Sequence, residues 1–187
     1  MIQKKIFIKS YRFLQVLTGI VYVFMAILAM RYNNEKIIQS VQIMGVFSLI
    51  KGFFEIMNKE KISKRTNHKQ MSAIVLGVVD IIVGIVLVTN ITLSLTSLSI
   101  LFGVWFIGDA VISFFMLDLA KSISTVYYVI SLIIDLICGL IGLILVIAST
   151  TSIISVSHLI SYYFLLFGFL KVVGGVINKE DLHSLEK

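Results

Sequence analysis

The chain contains no proline, one cysteine and one tryptophan among its 187 residues. Because no proline ring can remove a backbone hydrogen bond, long and regular helices are expected. The single cysteine, Cys138, excludes an intrachain disulfide, and a buried free thiol usually behaves as a small apolar group. Charge is also scarce: 14% of the residues are charged and 58% are apolar. Soluble domains have about 25% and about 45–50% respectively, so this balance is typical of a polytopic membrane protein.

Six apolar stretches approach the roughly 20 residues that cross a hydrocarbon core about 30 Å thick. They are Phe13–Met30, Ile37–Met57, Ser72–Val88, Leu95–Met116, Val126–Ala148 and Ser157–Ile177. Backbone polar groups in lipid must be satisfied internally, so each stretch is predicted to be a helix. The first follows a basic leader but is too long for a usual signal sequence and lacks an A-x-A cleavage pattern, so we expect it to be retained. The sequence therefore predicts one all-α membrane domain over residues 1–187, surrounded by the lipid bilayer.

Basic residues gather on one predicted side of the membrane. Twelve of them precede the first stretch or follow the second, fourth and sixth, against Arg31 and Lys36 on the other side. The positive-inside rule then places both termini in the cytoplasm. The net charge of +6 is therefore a topology signal with a weak attraction to anionic lipid, and nucleic acid is not an expected partner.

The first two pairs of stretches align with a constant offset of 58 residues. The aligned positions are Gly19 with Gly77, Tyr22 with Asp80, Ala26 with Gly84, Gly45 with Gly103 and Lys51 with Asp109. A third pair continues the pattern with Asp135 and Lys171. We therefore predict six transmembrane helices arranged as three parallel hairpin repeats, at about 13–57, 72–116 and 126–177, related by a pseudo-threefold axis.

Glycines recur seven residues apart within the predicted helices. The pairs are Gly45 with Gly52, Gly77 with Gly84 and Gly168 with Gly175, while Gly19 and Ala26 repeat the spacing. Seven residues is nearly two helical turns, so each pair lies on one helix face. Small residues on such a face let two helix backbones approach closely, which predicts helix packing. Helices within each hairpin are expected to pack antiparallel because their connections are short.

Five ionisable residues fall inside the predicted spans: Lys51, Asp80, Asp109, Asp135 and Lys171. A rise of 1.5 Å per residue places all of them roughly 9–14 Å inside the same membrane boundary, so they are expected to form one layer near the bundle axis. An aspartate at a helix centre costs about 2.5–3.5 kcal/mol on insertion scales, so each needs a partner or a proton. Because three aspartates face two lysines, one carboxyl group is expected to hold a proton.

Three interpretations of this charged layer stay open. In the first, ion pairs fix the helix register, and the flexible stems of Lys51 and Lys171 carry their ammonium groups towards the headgroups. In the second, the aspartates have a proton or ion role; in the third, the layer binds another small ligand. A pair between Lys51 and Glu55 along one helix face is also possible. Trp105, Tyr162 and Tyr163 are expected to be packing residues.

Patterns of catalytic and metal-binding residues are missing from the sequence. The histidines are dispersed, no H-E-x-x-H motif or Cys/His cluster has metal-ligand spacing, and no G-x-S-x-G nucleophile elbow occurs. The sequence therefore predicts a protein that is not an enzyme and that uses no cofactor and no metal.

Four short segments carry a family resemblance. They are Leu76-Gly77 with Gly84, Gly45 with Lys51-Gly52, Gly103 with Gly108-Asp109, and Phe167-Gly168 with Lys171. These segments resemble the HdeD-type acid-resistance membrane proteins of bacteria, and the likeness extends from Phe13 to Ile177. It implies a multi-pass protein of the bacterial inner membrane that is linked to acid or envelope stress, with no catalytic residues.

We therefore expect a non-enzymatic integral membrane protein that supports acid or envelope stress tolerance. The alternative is a small-solute or proton/ion transporter that uses the intramembrane Asp/Lys layer as its binding site. A third interpretation is an assembly subunit, with a homo-oligomer or another membrane protein as its partner.

Overall fold

The computed structural model describes residues 2–31, 37–63, 70–89, 94–147 and 155–177, and within them the secondary structure is entirely helical. The helices are α1 (Ile2–Arg31), α2 (Ile37–Ser63), α3 (Gln70–Thr89), α4 (Leu95–Phe115), α5 (Leu117–Ile123), α6 (Thr125–Ile147) and α7 (Val156–Ile177). Five of them, α2, α3, α4, α6 and α7, are long and apolar enough to cross a membrane. The apolar segment of α1 is shorter, at Gln15–Arg31.

Over the described residues, these helices agree with the prediction of an all-α polytopic membrane protein. Part of the predicted orientation depends on residues outside the described ranges, namely Lys36, Lys64, Arg65, Lys69, Lys179 and Lys187. The end of the predicted fifth span, Ala148, also lies outside them.

Helix α4 ends and α5 begins without a proline between them. Met116 has φ −94° and ψ 4°, in the bridge region between helix and strand, and its N–H donates to the Ser113 carbonyl at 2.9 Å. Helix α5 then packs against α6 through its buried residues Leu117 and Ala120. The fourth span was predicted to end at Met116, but the extra helix after it was not expected.

The six long helices form a ring in the order α1, α2, α3, α4, α6, α7, and α7 packs against α1 to close it. Extensive and smaller interfaces alternate around the ring. The extensive ones are α2–α3, α4–α6 and α1–α7. Each of these joins the second helix of one predicted hairpin to the first helix of another. The closest packing is therefore between the predicted hairpins, whereas the sequence had pointed to the helices within each one.

Each extensive interface contains at least one pair of facing glycines. The pairs are Gly19 with Gly168, Gly45 with Gly84, and Gly103 with Gly142. A Cβ atom on the first glycine of each pair would lie 2.8–2.9 Å from the carbonyl oxygen of the second. Such contacts are too short for any side chain, so glycine is what lets the two backbones touch.

A second glycine pair in the α2–α3 interface gives the helix direction. Gly52 lies opposite Gly77, while Gly45 lies opposite Gly84, so residue numbers rise along one helix as they fall along the other, and the helices are antiparallel. The predicted packing glycines are thereby placed at interfaces, apart from Gly175, which is buried on α7. Gly142, the partner of Gly103, was not singled out from the sequence.

Candidate functional site

The ammonium group of Lys51 joins two carboxylates in the interior of the bundle. Its Nζ atom lies 2.7 Å from Asp80 Oδ1 and 2.6 Å from Asp109 Oδ2, so residues of α2, α3 and α4 meet here. The three side chains are at most 3% exposed. A buried charge without a partner is strongly destabilising, so each of the three depends on the others. Lys51 thus forms ion pairs, as the first interpretation held, but its stem does not carry the ammonium group out of the bundle interior.

Aromatic side chains supply further donors to the same carboxylates. Trp105 Nε1 donates to Asp80 Oδ1 at 2.8 Å, and the hydroxyls of Tyr163 and Tyr22 donate to Asp109 Oδ2 at 2.9 and 3.3 Å. These bonds bring α1 and α7 into the cluster. Trp105 and Tyr163 are buried as packing residues should be, but they also have this polar role. The signal that could have revealed it is that a buried indole or phenol usually finds an acceptor.

A second ion pair links α7 to α2. Lys171 Nζ donates to Glu55 Oε1 at 2.9 Å, and the two side chains are 26% and 6% exposed. Glu55 had been considered as a partner of Lys51 along α2. The structure turns Lys51 towards Asp80 and Asp109 instead, which leaves Glu55 to Lys171.

Asp135 lies apart from both ion pairs. It is 3% exposed, and neither of its carboxylate oxygens has a hydrogen-bond partner at bonding distance. Ser113, Lys171 and Asp109 are the neighbours that interact with it electrostatically. The predicted layer of five residues is therefore divided: three residues share ion pairs, Lys171 pairs with Glu55, and Asp135 has charged neighbours but no hydrogen-bond partner.

The site has more acceptors than donors. Asp80 Oδ2, Asp109 Oδ1 and Gln15 Oε1 are buried without a hydrogen-bond partner, as is the Asp135 carboxylate, and every unpartnered side-chain atom found in the described residues is an oxygen. Four carboxyl groups, including that of Glu55, also stand against two ammonium groups. With all six groups ionised the site would carry two uncompensated negative charges, which a low-dielectric interior strongly disfavours.

A cavity of about 90 Å³ adjoins this cluster, at the end of the bundle that carries α5. Its charged lining residues are Lys51, Glu55, Asp109 and Lys171. Hydroxyl groups from several helices and the side chain of Gln15 complete the polar part of the wall. The cavity has room for several water molecules and enough polar groups to hold them.

The interior on the other side of Asp109 is filled with aromatic rings. Phe102, Phe106 and Phe164 are fully buried, and the ring of Phe106 stacks on Tyr163 with centroids 3.4 Å apart and planes 4° apart. The cavity therefore reaches Asp109 from the α5 end, and packed aromatic rings lie beyond it.

Comparison with known proteins identifies the repeat. The family described as "Short repeat of unknown function (DUF308)" matches the chain twice, at residues 17–88 and 75–144. The chain belongs to the DUF308 family. The two matches begin 58 residues apart, which is the offset that aligns Gly19 with Gly77, so the predicted internal repeat is confirmed. No curated protein and no solved structure matches the chain.

The DUF308 repeat explains why these residues meet. Lys51 and Asp109 are 58 residues apart, so the ion pair joins equivalent positions of two repeats. Tyr22 and Asp80 have the same separation and also contact this pair. The charged cluster is thus built from two positions of the repeat, each of which occurs twice. The side chains at equivalent positions differ, and Lys51 pairs both with its equivalent, Asp109, and with Asp80.

The carboxyl groups of this DUF308 site are groups that can bind and release protons. Among the residues that the structure describes, no group of three or more histidine, cysteine, aspartate or glutamate side chains could hold a metal ion. The carboxylates meet ammonium, indole and phenol donors, and Asp109 forms part of the cavity wall. A proton that enters the cavity can therefore reach Asp109 directly.

Proposed function

We propose that this DUF308 protein is a non-enzymatic integral membrane protein whose buried carboxyl cluster takes up protons from one side of the membrane. The observation that carries the proposal is the cavity of about 90 Å³ that reaches Asp109, whose Oδ1 atom lacks a partner. Because aromatic rings fill the opposite side, a proton that binds here returns the way it came. The protein then responds to pH without conducting protons.

Protonation of Asp109 would change how five helices are held together. The neutral carboxyl group would lose its charge-assisted bonds from Lys51, Tyr22 and Tyr163, and Lys51 would pair with Asp80 alone. The contacts that tie α1 and α7 to α2, α3 and α4 would weaken together. A local change of charge is thereby converted into a change in helix packing.

Several titratable groups surround Asp109 and would shape its response. They are Tyr22 on α1, Lys51 and Glu55 on α2, Asp80 on α3, Asp135 and Cys138 on α6, and Tyr163 and Lys171 on α7. Asp80 and Asp135 are the other carboxyl groups that could share the proton. The pH response is therefore a property of the whole cluster, and Asp109 is the member that the cavity reaches.

Tryptophan fluorescence tests proton uptake directly, because the single tryptophan of the chain donates to Asp80 in this cluster. Purified protein in lipid nanodiscs would be titrated from alkaline to acid pH. We expect a sigmoidal change in Trp105 emission that is lost or displaced in Asp109→Asn and kept in Asp118→Asn, an exposed control on α5. An emission that does not depend on pH, or an Asp109→Asn variant that titrates like wild type, would contradict the proposal.

We further infer that the bundle spans a bacterial inner membrane six times as three hairpins, with both termini in the cytoplasm. The apolar helices, the placement of basic residues and the resemblance to HdeD-type proteins support this topology. The α5 end and its cavity would then face the cytoplasm. Reporter fusions after residue 65 and at the C-terminus should be cytoplasmic, and a reporter at residue 92 should be external.

A cytoplasmic cavity would let the protein support acid or envelope stress tolerance, with a homo-oligomer or another membrane protein receiving the response. Cells without the protein would be complemented with wild type or with an Asp80/Asp109/Asp135→Asn variant, and cytoplasmic pH would be measured after an external acid shift. We expect wild type alone to hold internal pH. If the variant is present at its normal level and holds cytoplasmic pH as well as wild type does, the three aspartates have no part in the mechanism.

A second candidate function is small-solute or ion transport. The observation that favours it is the mixed charge of the cavity wall, where Lys51, Glu55, Asp109 and Lys171 could bind an ion or a polar solute. Transport would require the aromatic layer around Phe106 to open. Vesicles that enclose a pH-sensitive dye distinguish the two: proton flux above that of protein-free vesicles, lost in Asp109→Asn, would favour transport over one-sided proton uptake.

A further inference from the structure

Two buried oxygens in the cavity wall have no donor. Gln15 Oε1 and Asp109 Oδ1 are both unpartnered, both residues line the cavity, and they are 9% and 2% exposed. They come from α1 and α4, on different sides of the ring. A buried acceptor without a donor destabilises the folded protein. A ligand that supplies N–H or O–H groups is therefore favoured at this place.

The charge of the same wall favours a cation. Lys51 is shared between Asp80 and Asp109, so these three groups leave one negative charge uncompensated when both carboxyls are ionised. Lys171 and Glu55 neutralise each other at the cavity rim. A ligand that suits this wall thus carries one positive charge as well as hydrogen-bond donors.

The rest of the wall selects the kind of cation. Tyr22, Tyr127 and Phe167 present aromatic surface to the cavity, next to Leu170. Ammonium groups bind well to aromatic faces, and a short alkyl chain is compatible with the apolar part of the wall. A cavity of about 90 Å³ has room for only several water-sized groups, so the ligand has only a few heavy atoms.

We propose that the cavity binds ammonium or a short primary alkylammonium ion, with Asp109 Oδ1 and Gln15 Oε1 each accepting one of its N–H groups. This inference rests on the proposed function, since it needs Asp109 to be accessible from the cavity. It deepens that function by naming a second occupant of the site. The ammonium ion and the proton then compete for the same carboxyl group, among the titratable neighbours already named.

The test uses Trp105 emission of the full chain in nanodiscs, at alkaline pH. Ammonium, methylammonium and ethylammonium chlorides would be added at constant ionic strength, with sodium, potassium and tetramethylammonium chlorides as controls. We expect a saturable change for the three ions that carry N–H groups. Lowering the pH should weaken their apparent affinity by up to about tenfold per unit, as for competition with one proton.

Two variants separate the ligand contacts from general effects. Gln15→Leu removes one hydrogen bond to a charged group and should weaken binding about 10-fold or more. Gln42→Leu, at an exposed position on α2, should bind like wild type. Gln15→Glu keeps an acceptor, adds negative charge and should tighten binding, so the inference stays testable even if Gln15→Leu fails to fold.

Each outcome decides between the two proposals. If ammonium ions cause no saturable change while the pH response of Trp105 persists, the ligand inference fails and one-sided proton uptake stands. If the pH response is missing too, both fail. Equal responses to sodium, potassium or tetramethylammonium would overturn the choice of an N–H-bearing cation, and unchanged binding in both Gln15 variants would overturn the assigned contact.

Discussion

Lys51 is enclosed by the groups that stabilise its charge. Its Nζ atom lies 4.9 Å from the centre of the Tyr22 ring and 5.3 Å from that of Trp105, in addition to its two carboxylate partners. Attraction to the aromatic faces adds to the ion pairs. Lys51 contacts both carboxylates and both aromatic rings of the cluster. A change of charge at one carboxylate therefore alters the interaction of Lys51 with the other.

The substitution Lys51→Met should destabilise the protein because it leaves Asp80 and Asp109 buried without their cation. Breaking a buried ion pair in this way costs about 3–5 kcal/mol. The ion pairs exist only while the carboxyls are ionised, so the difference from wild type should shrink as the pH falls. Thermal unfolding in detergent across a pH series measures this, with Lys121→Met at an exposed position of α5 as the control. A loss that is the same at every pH would point to packing alone.

Two adjacent tyrosines on α7 provide a matched comparison. The hydroxyl of Tyr163 donates to Asp109 at 2.9 Å, whereas Tyr162 is 47% exposed. Tyr163→Phe should therefore destabilise the protein by about 1.5–3 kcal/mol, the range for a hydrogen bond to a charged group, and should displace the pH response of Trp105. Tyr162→Phe should change neither. Similar effects of the two substitutions on unfolding and fluorescence would show that the Asp109 contact is unimportant.

The sequence predicted the charged residues of the site better than their partners. Lys51, Asp80 and Asp109 stand out because a charge within an apolar stretch is rare. Gln15 does not, because a polar residue near the end of a span is expected to face headgroups or water, and Glu55 was considered only as a partner of Lys51. Which carboxylate meets which ammonium depends on helix order and rotation, and these are properties of the whole bundle rather than of any one stretch.

At the scale of the helices, glycines determine which surfaces can touch. On α4, a Cβ atom at Gly103 would lie 2.6 Å from Val146 Cγ2 and 2.8 Å from the carbonyl oxygen of Gly142, whereas one at Gly108 would have nothing within 4 Å. The same residue type on one helix thus has two different surroundings. The first position is a helix contact, and the second is open.

We therefore expect Gly103→Ala to push α4 and α6 apart and to destabilise the protein by about 1–3 kcal/mol, as overpacking usually does. Gly108→Ala should be neutral or slightly stabilising because alanine favours the helix. Thermal unfolding of the two variants side by side measures the difference. Equal stability of the two would mean that the α4–α6 interface can relax around a methyl group.

Helix positions followed from the sequence, but helix partners did not. Hydropathy predicted Leu95 as the start of the fourth span, and α4 begins there. The seven-residue helix α5 gave no signal because it is short and only partly apolar. The glycine spacing revealed which helix faces pack. A glycine-lined face can pack against any other glycine-lined face, however, so the pairing of α2 with α3 or of α1 with α7 could not be derived.

For the whole molecule, ring closure depends on α7. This helix supplies Gly168 opposite Gly19, Tyr163 for Asp109 and Lys171 for Glu55. A chain that stops at residue 154 would lose all three contacts at once. The site as well as the packing is incomplete without α7.

We predict that a chain truncated after residue 154 accumulates poorly in the membrane and shows no pH response of Trp105. Co-expression of a separate segment from residue 155 to the end should restore both, since helices in a membrane can associate after insertion. Immunoblotting of membranes and fluorescence of the purified complex measure the two effects. Normal levels and a normal response from the truncated chain alone would show that the other helices suffice.

The contact between α1 and α7 has a consequence for synthesis of the chain. Helix α1 ends at Arg31 and its partner begins at Val156, so the ribosome must add over 100 residues before the pair can form. At 5–20 residues per second, α1 waits for roughly 6–25 s with its glycine face uncovered. During that interval the nascent chain is open to membrane proteases and insertion factors. Synthesis of α7 ends this exposure, so the assembled ring forms only in chains whose translation has reached α7.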